Sequence, residues 1–192
     1  MDADELLTLL LHGNQLKRTA RTGWVQRGVP APENVAAHSF GVVYTALVLA
    51  ELVDPPVDVA AVLAMAALHD LAEGLTTDIP TPAWRFLPRG AKAEAERQAI
   101  EQIIAATPVR PRWLGWWEEL VRNETGAARL VHDADKLETY LQAYVYERQT
   151  GNRQLGEFWA RPHVFHFPVA QGVYDLLCRL RAGEQGSRGA GV

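Results

Sequence analysis

Apolar residues recur along this chain at the three-to-four-residue spacing of helices, and no segment alternates for long enough to mark a strand. Residues 4–16 carry Leu6, Leu7, Leu9, Leu10 and Leu11, a short amphipathic helix capped by Asp2 or Asp4. The period is lost over residues 17–30, which hold four basic residues, two glycines and Trp24, so this segment is predicted to be a loop. A second helix is expected from Pro32-Glu33-Asn34 to about Val53, with Val35, Phe40, Val42, Val43, Leu47, Leu49 and Leu52 as apolar positions and Asp54-Pro55-Pro56 as its stop. Residues 58–75 are apolar nearly all round, so this third helix should be central, ending near Gly74 before a proline-stiffened loop over residues 77–82. Further helices are predicted at residues 91–106, 111–121, 124–150 and 169–180, with Gly151-Asn152 breaking the longest. The pattern describes one all-α domain of about six or seven helices over residues 1–182 and a Gly-rich, flexible tail over residues 183–192.

Composition agrees with this and narrows the partners. A chain of 192 residues with 48% hydrophobic content can bury a sizeable core. The formal net charge of −4 offers no general attraction to a nucleic-acid polymer, although a local basic patch can hold a small anion. The single cysteine, Cys178, rules out an intrachain disulfide and fits a reducing cytoplasm. Met1-Asp2-Ala3-Asp4-Glu5 is acidic where a secretory signal would be basic. The apolar runs at residues 40–50 and 59–68 fall short of the roughly 20 residues that span a bilayer, so no membrane association is expected.

The chemistry gathers in one stretch. His69, Asp70, Glu73 and Asp78 lie within ten residues at the end of the central apolar helix. Burying so many ionisable groups is unfavourable without a partner, and a divalent metal is the simplest one. On a helix, residues four apart are offset by about 40°, so His69 and Glu73 share a face, while Asp70 sits about 100° from His69. Imidazole with carboxylate suits Mn, Fe, Co, Ni or Zn better than Mg. Two protein ligands are too few, so others must come from distant segments, and His38, His132, Asp133 and Asp135 are of the right type. His132 and Asp135 share a face; Asp133 points nearly the opposite way and is expected to face water. The set His38, His69, Asp70 and Asp135 would draw on three helices. His163 and His166 lie in a proline-bounded aromatic segment and read as structural, and Trp113, Trp116 and Trp117 read as core or an oligomer contact.

The order His38, His69-Asp70, Asp135 resembles the H…HD…D pattern of the HD-domain phosphohydrolase superfamily. Three segments are similar to its 5'-deoxynucleotidase branch. Glu33-Asn34-Val35-Ala36-Ala37-His38 matches ENVxxH. His69-Asp70-Leu71-Ala72-Glu73, followed by Leu75-Thr76-Thr77-Asp78-Ile79-Pro80-Thr81-Pro82, matches HDxxE…LTxDxPTP. Ala134-Asp135-Lys136-Leu137 matches ADxL. The resemblance covers residues 16–147 and implies an HD-domain helical bundle. It also implies one divalent metal ion (manganese, cobalt or another transition metal, with magnesium admissible) held by His38, His69, Asp70 and Asp135. Glu73 would orient or deprotonate the attacking water. Asp78 would act as general acid toward the leaving nucleoside oxygen, or hold the sugar, and Trp24 would pack on the nucleoside. In bacterial members an arginine directly precedes that tryptophan and binds phosphate; here the position is Gly23, so Arg21 or Arg27 is expected to reach the phosphate. The implied reaction releases phosphate from nucleoside or deoxynucleoside 5'-monophosphates, in a homodimer. Alternatives are an HD hydrolase of a cyclic nucleotide or of guanosine tetraphosphate, a catalytically silent metal-binding signalling domain, and a helical interaction domain. A di-iron oxygenase would need further histidines between Asp70 and Asp135, where only His132 stands.

Overall fold

The computed structural model describes residues 1–80, 83, 86–105 and 107–189, with side chains as far as residue 183. The fold is all-α. Helix α1 (Ala3–Gln15) starts at Asp2, which accepts from the Glu5 N–H while the Glu5 carboxylate accepts from the Asp2 N–H. A 3₁₀ turn (Leu16–Arg18) leads to α2 (Thr22–Gln26), a short helix inside the segment predicted to be a loop. The reason is tertiary: the carboxylate of Asp78, 56 residues away in sequence, accepts from the Thr22 N–H at 2.7 Å and so caps α2. An antiparallel bridge between Ala20 and Asn34 closes this segment at its base.

Asn34 caps α3 (Val35–Ala50) by accepting from the Ala37 N–H, and Asp58 caps α4 (Val59–Leu68) by accepting from the Ala60 and Ala61 N–H groups. The third helix is shorter than the pattern predicts. It ends at Leu68, passes through a turn, and resumes as α5 (Glu73–Thr76). The turn is held by bonds over three residues: the N–H groups of Leu71, Glu73 and Gly74 donate to the carbonyls of Leu68, Asp70 and Leu71. Such tightened winding sets residues i and i+3 above one another. The winding after Leu68 is therefore tighter than that of the regular helix the pattern predicts. Thr77 then leaves α5 at a positive φ of 61°, a conformation a β-branched residue adopts only where its surroundings impose it.

Beyond lie α6 (Ala91–Ile104), α7 (Arg110–Arg122), α8 (Gly126–Thr150), α9 (Gly156–Trp159) and α10 (Pro168–Gly189). Pro111 stands in the first turn of α7, and left-handed Asn123 and Gly151 close α7 and α8. The last helix runs to Gly189, through most of the tail predicted to be flexible over residues 183–192, while residues 190–192 lie outside the described residues, as do Thr81 and Pro82 of the long motif. Among the described residues, seven helices have ten residues or more. The longest, α8, packs along α3 and against α4, α7 and α10. Val42, Ala46, Val62, Met65, Leu130, Val131 and Leu137 form the centre of that core. A second cluster joins Leu9, Leu16, Leu68 and Leu71 to Ile100, Ile103, Ile104 and Trp117. The span Val59–Thr76 has the length and apolar composition of a membrane helix, but α4 breaks at Leu68, and His69, Asp70 and Glu73 follow in the turn and α5.

Candidate active site

The three helices in contact at the core, α3, α4 and α8, bring four predicted ligands together. His38 on α3, His69 at the end of α4 and Asp135 on α8 each present a ligand atom, all within 4.8 Å of one another. His38 Nε2 lies 3.1 Å from Asp135 Oδ1 and 3.7 Å from Asp70 Oδ2, and His69 Nε2 lies 3.2 Å from Asp70 Oδ2. His69 Nδ1 is 2.7 Å from the carbonyl of Ala66. A carbonyl only accepts, so Nδ1 carries the proton and Nε2 is left to the cluster.

His69 Nε2 and Asp70 Oδ2 are buried without a hydrogen-bond partner, because their short separation lacks hydrogen-bonding alignment. Two orphaned polar atoms facing two more nitrogen and oxygen donors are what a cation would satisfy. Two imidazoles and two carboxylates suit a divalent transition metal. The residues present thus fit such an ion.

The field of the site asks for positive charge. Burial opposes the charged form of His38, yet its hydrogen bonds to Asp135 and Glu138 outweigh this and push it up to about 10. Burial likewise works against the charge on Asp70, but His69, His38 and Arg21 hold it down at about 2. Asp135 is held low by its bond to His38 against the same desolvation. Glu73 goes the other way. It is 4% exposed, its Oε2 has no hydrogen-bond partner, and burial plus the charges of Asp70 and Asp78 push it up to about 9.

Arg21 is the arginine brought to the cluster, with Nη1 3.6 Å from Asp70 Oδ2. Burial disfavours its charge, but Asp70, Asp135, Asp78 and Glu73 more than restore it. Arg27 is directed elsewhere. Its guanidinium donates to Glu157 at 2.9 Å and to the Gly23 carbonyl, and lies over the Phe158 ring. Trp24 is not placed as a nucleoside platform. It is 2% exposed, packed on Tyr146 and Phe158, and its indole N–H donates to Glu33. The ring is spent on the core beneath the loop because α2 turns it inward. Asp78 accepts through Oδ2 from both the N–H and the hydroxyl of Thr22, and the Thr22 hydroxyl also lies 2.9 Å from the Asp78 carbonyl. This ties the residue next to Arg21 to the loop after α5.

Asp133 corrects the sequence reading most sharply. It is 1% exposed, not solvated, and accepts from the backbone N–H groups of His166 and Phe167 and from His166 Nδ1. It thereby anchors the two residues that lead into α10. His166 is structural, as expected, and His132 is held by the Leu120 carbonyl at 2.9 Å. Two residues near the site escaped the sequence reading. Glu138 stands 2.5 Å from His38 Nδ1, and its position three residues after Asp135, on one helix face, was the available signal. Lys92, paired with Glu96, adds a positive charge that Glu73 and Asp70 stabilise, and nothing in its local sequence marks it.

Residues 13–165 match the family model described as HD domain. The 5'-deoxynucleotidase HDDC2 of Danio rerio is 32% identical over 186 residues, which cover 93% of this chain and 89% of that protein. The Homo sapiens protein of the same name is 35% identical over 147 residues, 76% of this chain and 70% of its own. Among solved structures, the PH0347 protein of Pyrococcus horikoshii OT3 superposes with a TM-score of 0.71 at 40% identity, covering 80% of this chain and 84% of that one.

Proposed function

The chain belongs to the HD domain family, and from that membership we propose that it is a metal-dependent phosphohydrolase releasing phosphate from nucleoside or deoxynucleoside 5'-monophosphates. The observation that carries the reading is the convergence of His38, His69, Asp70 and Asp135 with two buried, unpartnered ligand atoms, next to a buried carboxyl and an arginine. His38, His69, Asp70 and Asp135 would hold one divalent transition-metal ion. When bound, such an ion supplies acidification of water at neutral pH, neutralisation of phosphate charge, and an offset to the negative field on Glu73.

The chain's own residues divide the remaining work. Glu73 takes the proton of the attacking water, and that proton is then available to the nucleoside oxygen as its bond to phosphorus breaks. Arg21 binds phosphate oxygens through charge-assisted hydrogen bonds. Asp78 holds Thr22 and thereby fixes where Arg21 enters the site. Burial of the ionisable groups keeps bulk water from screening these contacts.

The test is phosphate release across ribo- and deoxyribonucleoside 5'-monophosphates with Mn²⁺, Co²⁺ or Mg²⁺. Turnover of at least one monophosphate, abolished by chelator and by Asp70→Ala, is expected. Metal uptake without turnover of any of them would overturn the enzymatic reading. The same proposal places a single HD domain through residue 182, a homodimer, and work on a small nucleotide in a reducing cytoplasm. Sedimentation of the purified chain and subcellular fractionation check the last points.

A further inference from the structure

His38 uses both ring nitrogens. Nε2 faces Asp135 and Asp70, while Nδ1 lies 2.5 Å from Glu138 Oε2, and the ring itself is fully buried. Glu138 sits one helical turn beyond Asp135 on α8, so a single turn carries both a carboxylate for the cluster and the carboxylate behind it. The room for Glu138 is made by α3. A methyl group at Gly41 would stand 2.7 Å from Glu138 Oε1 and 2.9 Å from its Cγ, closer than any side-chain carbon sits. Gly41 is itself one turn after His38 on the same face of α3. Glycine in a helix interior is costly, by roughly 0.5–1 kcal/mol relative to alanine, and here it has a specific occupant to admit.

We infer that Glu138 is a positioning residue for His38, fixing the ring so that Nε2 is presented to the metal, and that Gly41 is the space that arrangement requires. The inference rests on the metal centre proposed above. With Nδ1–H donated to Glu138, His38 must offer its Nε2 lone pair to the cluster, and its ring cannot rotate without breaking that bond. The arrangement reaches further. Glu33 could share a metal ion with His38 and Glu138, accepts from the Trp24 indole N–H through its carboxylate, and donates its backbone N–H to the Tyr146 hydroxyl oxygen. The shell behind His38 therefore extends into the packing under the α2 segment.

The experiment is Co²⁺ titration of the full chain, read by the visible absorption of the bound ion and by the affinity. The proteins are the parent, Glu138→Gln, Glu138→Ala, Gly41→Ala and the Gly41→Ala/Glu138→Ala double variant, each checked for folding by far-ultraviolet circular dichroism without metal. Loss of such a partner costs about 10–100-fold in metal affinity. Glu138→Ala and Gly41→Ala should each show a loss in that range with a changed Co²⁺ spectrum, and Glu138→Gln, which can still accept from Nδ1, should recover most of it. The double variant should match Glu138→Ala alone, because the added methyl then meets no carboxylate. Equal affinity and spectrum in parent and Glu138→Ala would overturn the inference while leaving the metal centre intact. Additive losses in the double variant would overturn the role of Gly41. A second Co²⁺ ion lost in Glu138→Ala would make Glu33, His38 and Glu138 a site of their own and refute the positioning role. A parent chain that takes up no Co²⁺ overturns the metal centre and this inference with it.

Discussion

Glu73→Gln should separate turnover from metal retention. The side chain is almost fully buried, and its carboxyl is pushed up to about 9 by burial and by the charges of Asp70 and Asp78. Glutamine keeps the volume and the dipole but cannot take a proton from water. General acid–base catalysis contributes about 10²- to 10⁴-fold, which at 1.36 kcal/mol per factor of ten corresponds to about 3–5 kcal/mol of barrier. Phosphate release should fall by that factor, while Mn²⁺ or Co²⁺ uptake stays near the parent's because the proposed ligands are untouched. A stability signature accompanies the loss. In the metal-free protein the carboxyl is raised above its ordinary value of 4.5, so its contribution to stability is fully present below about pH 4.5 and is lost as pH rises through about 9. Glutamine has no such dependence. The stability of the variant relative to the parent should therefore climb steadily across that window. Urea unfolding in chelator at about pH 5 and about pH 8.5 measures the difference. Parental turnover in the variant would refute the proton-acceptor role. A pH-independent stability difference would refute the argument from burial.

Arg21→Ala should lower kcat/KM by about 10–150-fold, the range for a hydrogen bond to a charged group, whereas Arg27→Ala should change it by less than about twofold; steady-state kinetics on one monophosphate distinguishes them. Trp24→Ala should cost about 3–5 kcal/mol of stability, read by urea unfolding, because the ring fills core beneath α2 and is not a ligand platform. Asp133→Ala should cost about 2–4 kcal/mol, since two backbone N–H groups leading into α10 lose their acceptor; a change under about 0.5 kcal/mol would contradict the anchoring role.

Periodicity located the long helices because each buries a face, and helical spacing survives whatever lies opposite. Chemistry singled out the proposed ligands because histidine and aspartate inside apolar runs need a partner. What stayed hidden depended on contacts far apart in sequence. The segment around Trp24 became helical through a cap supplied by Asp78. Asp133 looked solvated on a helical wheel, but the chain after α9 returns to place two N–H groups on it. The wheel also missed the break after Leu68, since it assumes regular winding where the backbone tightens. Glu138 lay in plain view at a fixed spacing from Asp135, yet its meaning depended on the gap opposite at Gly41.

The bridge between Ala20 and Asn34, with the Val35 N–H donating to the Thr19 carbonyl, has a consequence for how this scaffold can change. It pinches residues 20–34 into a loop whose ends meet, anchored through Trp24 and Asp78 and exposed at Pro30 and Ala31. Once the ends of a loop are held together, doubling its length costs only about 0.6 kcal/mol. Insertions and exchanges at that tip would leave both anchors and all four proposed ligands where they are. Variation is thus confined to the tip, while Arg21, Thr22, Trp24 and Glu33 in the rest of the segment keep the contacts that tie it to the site.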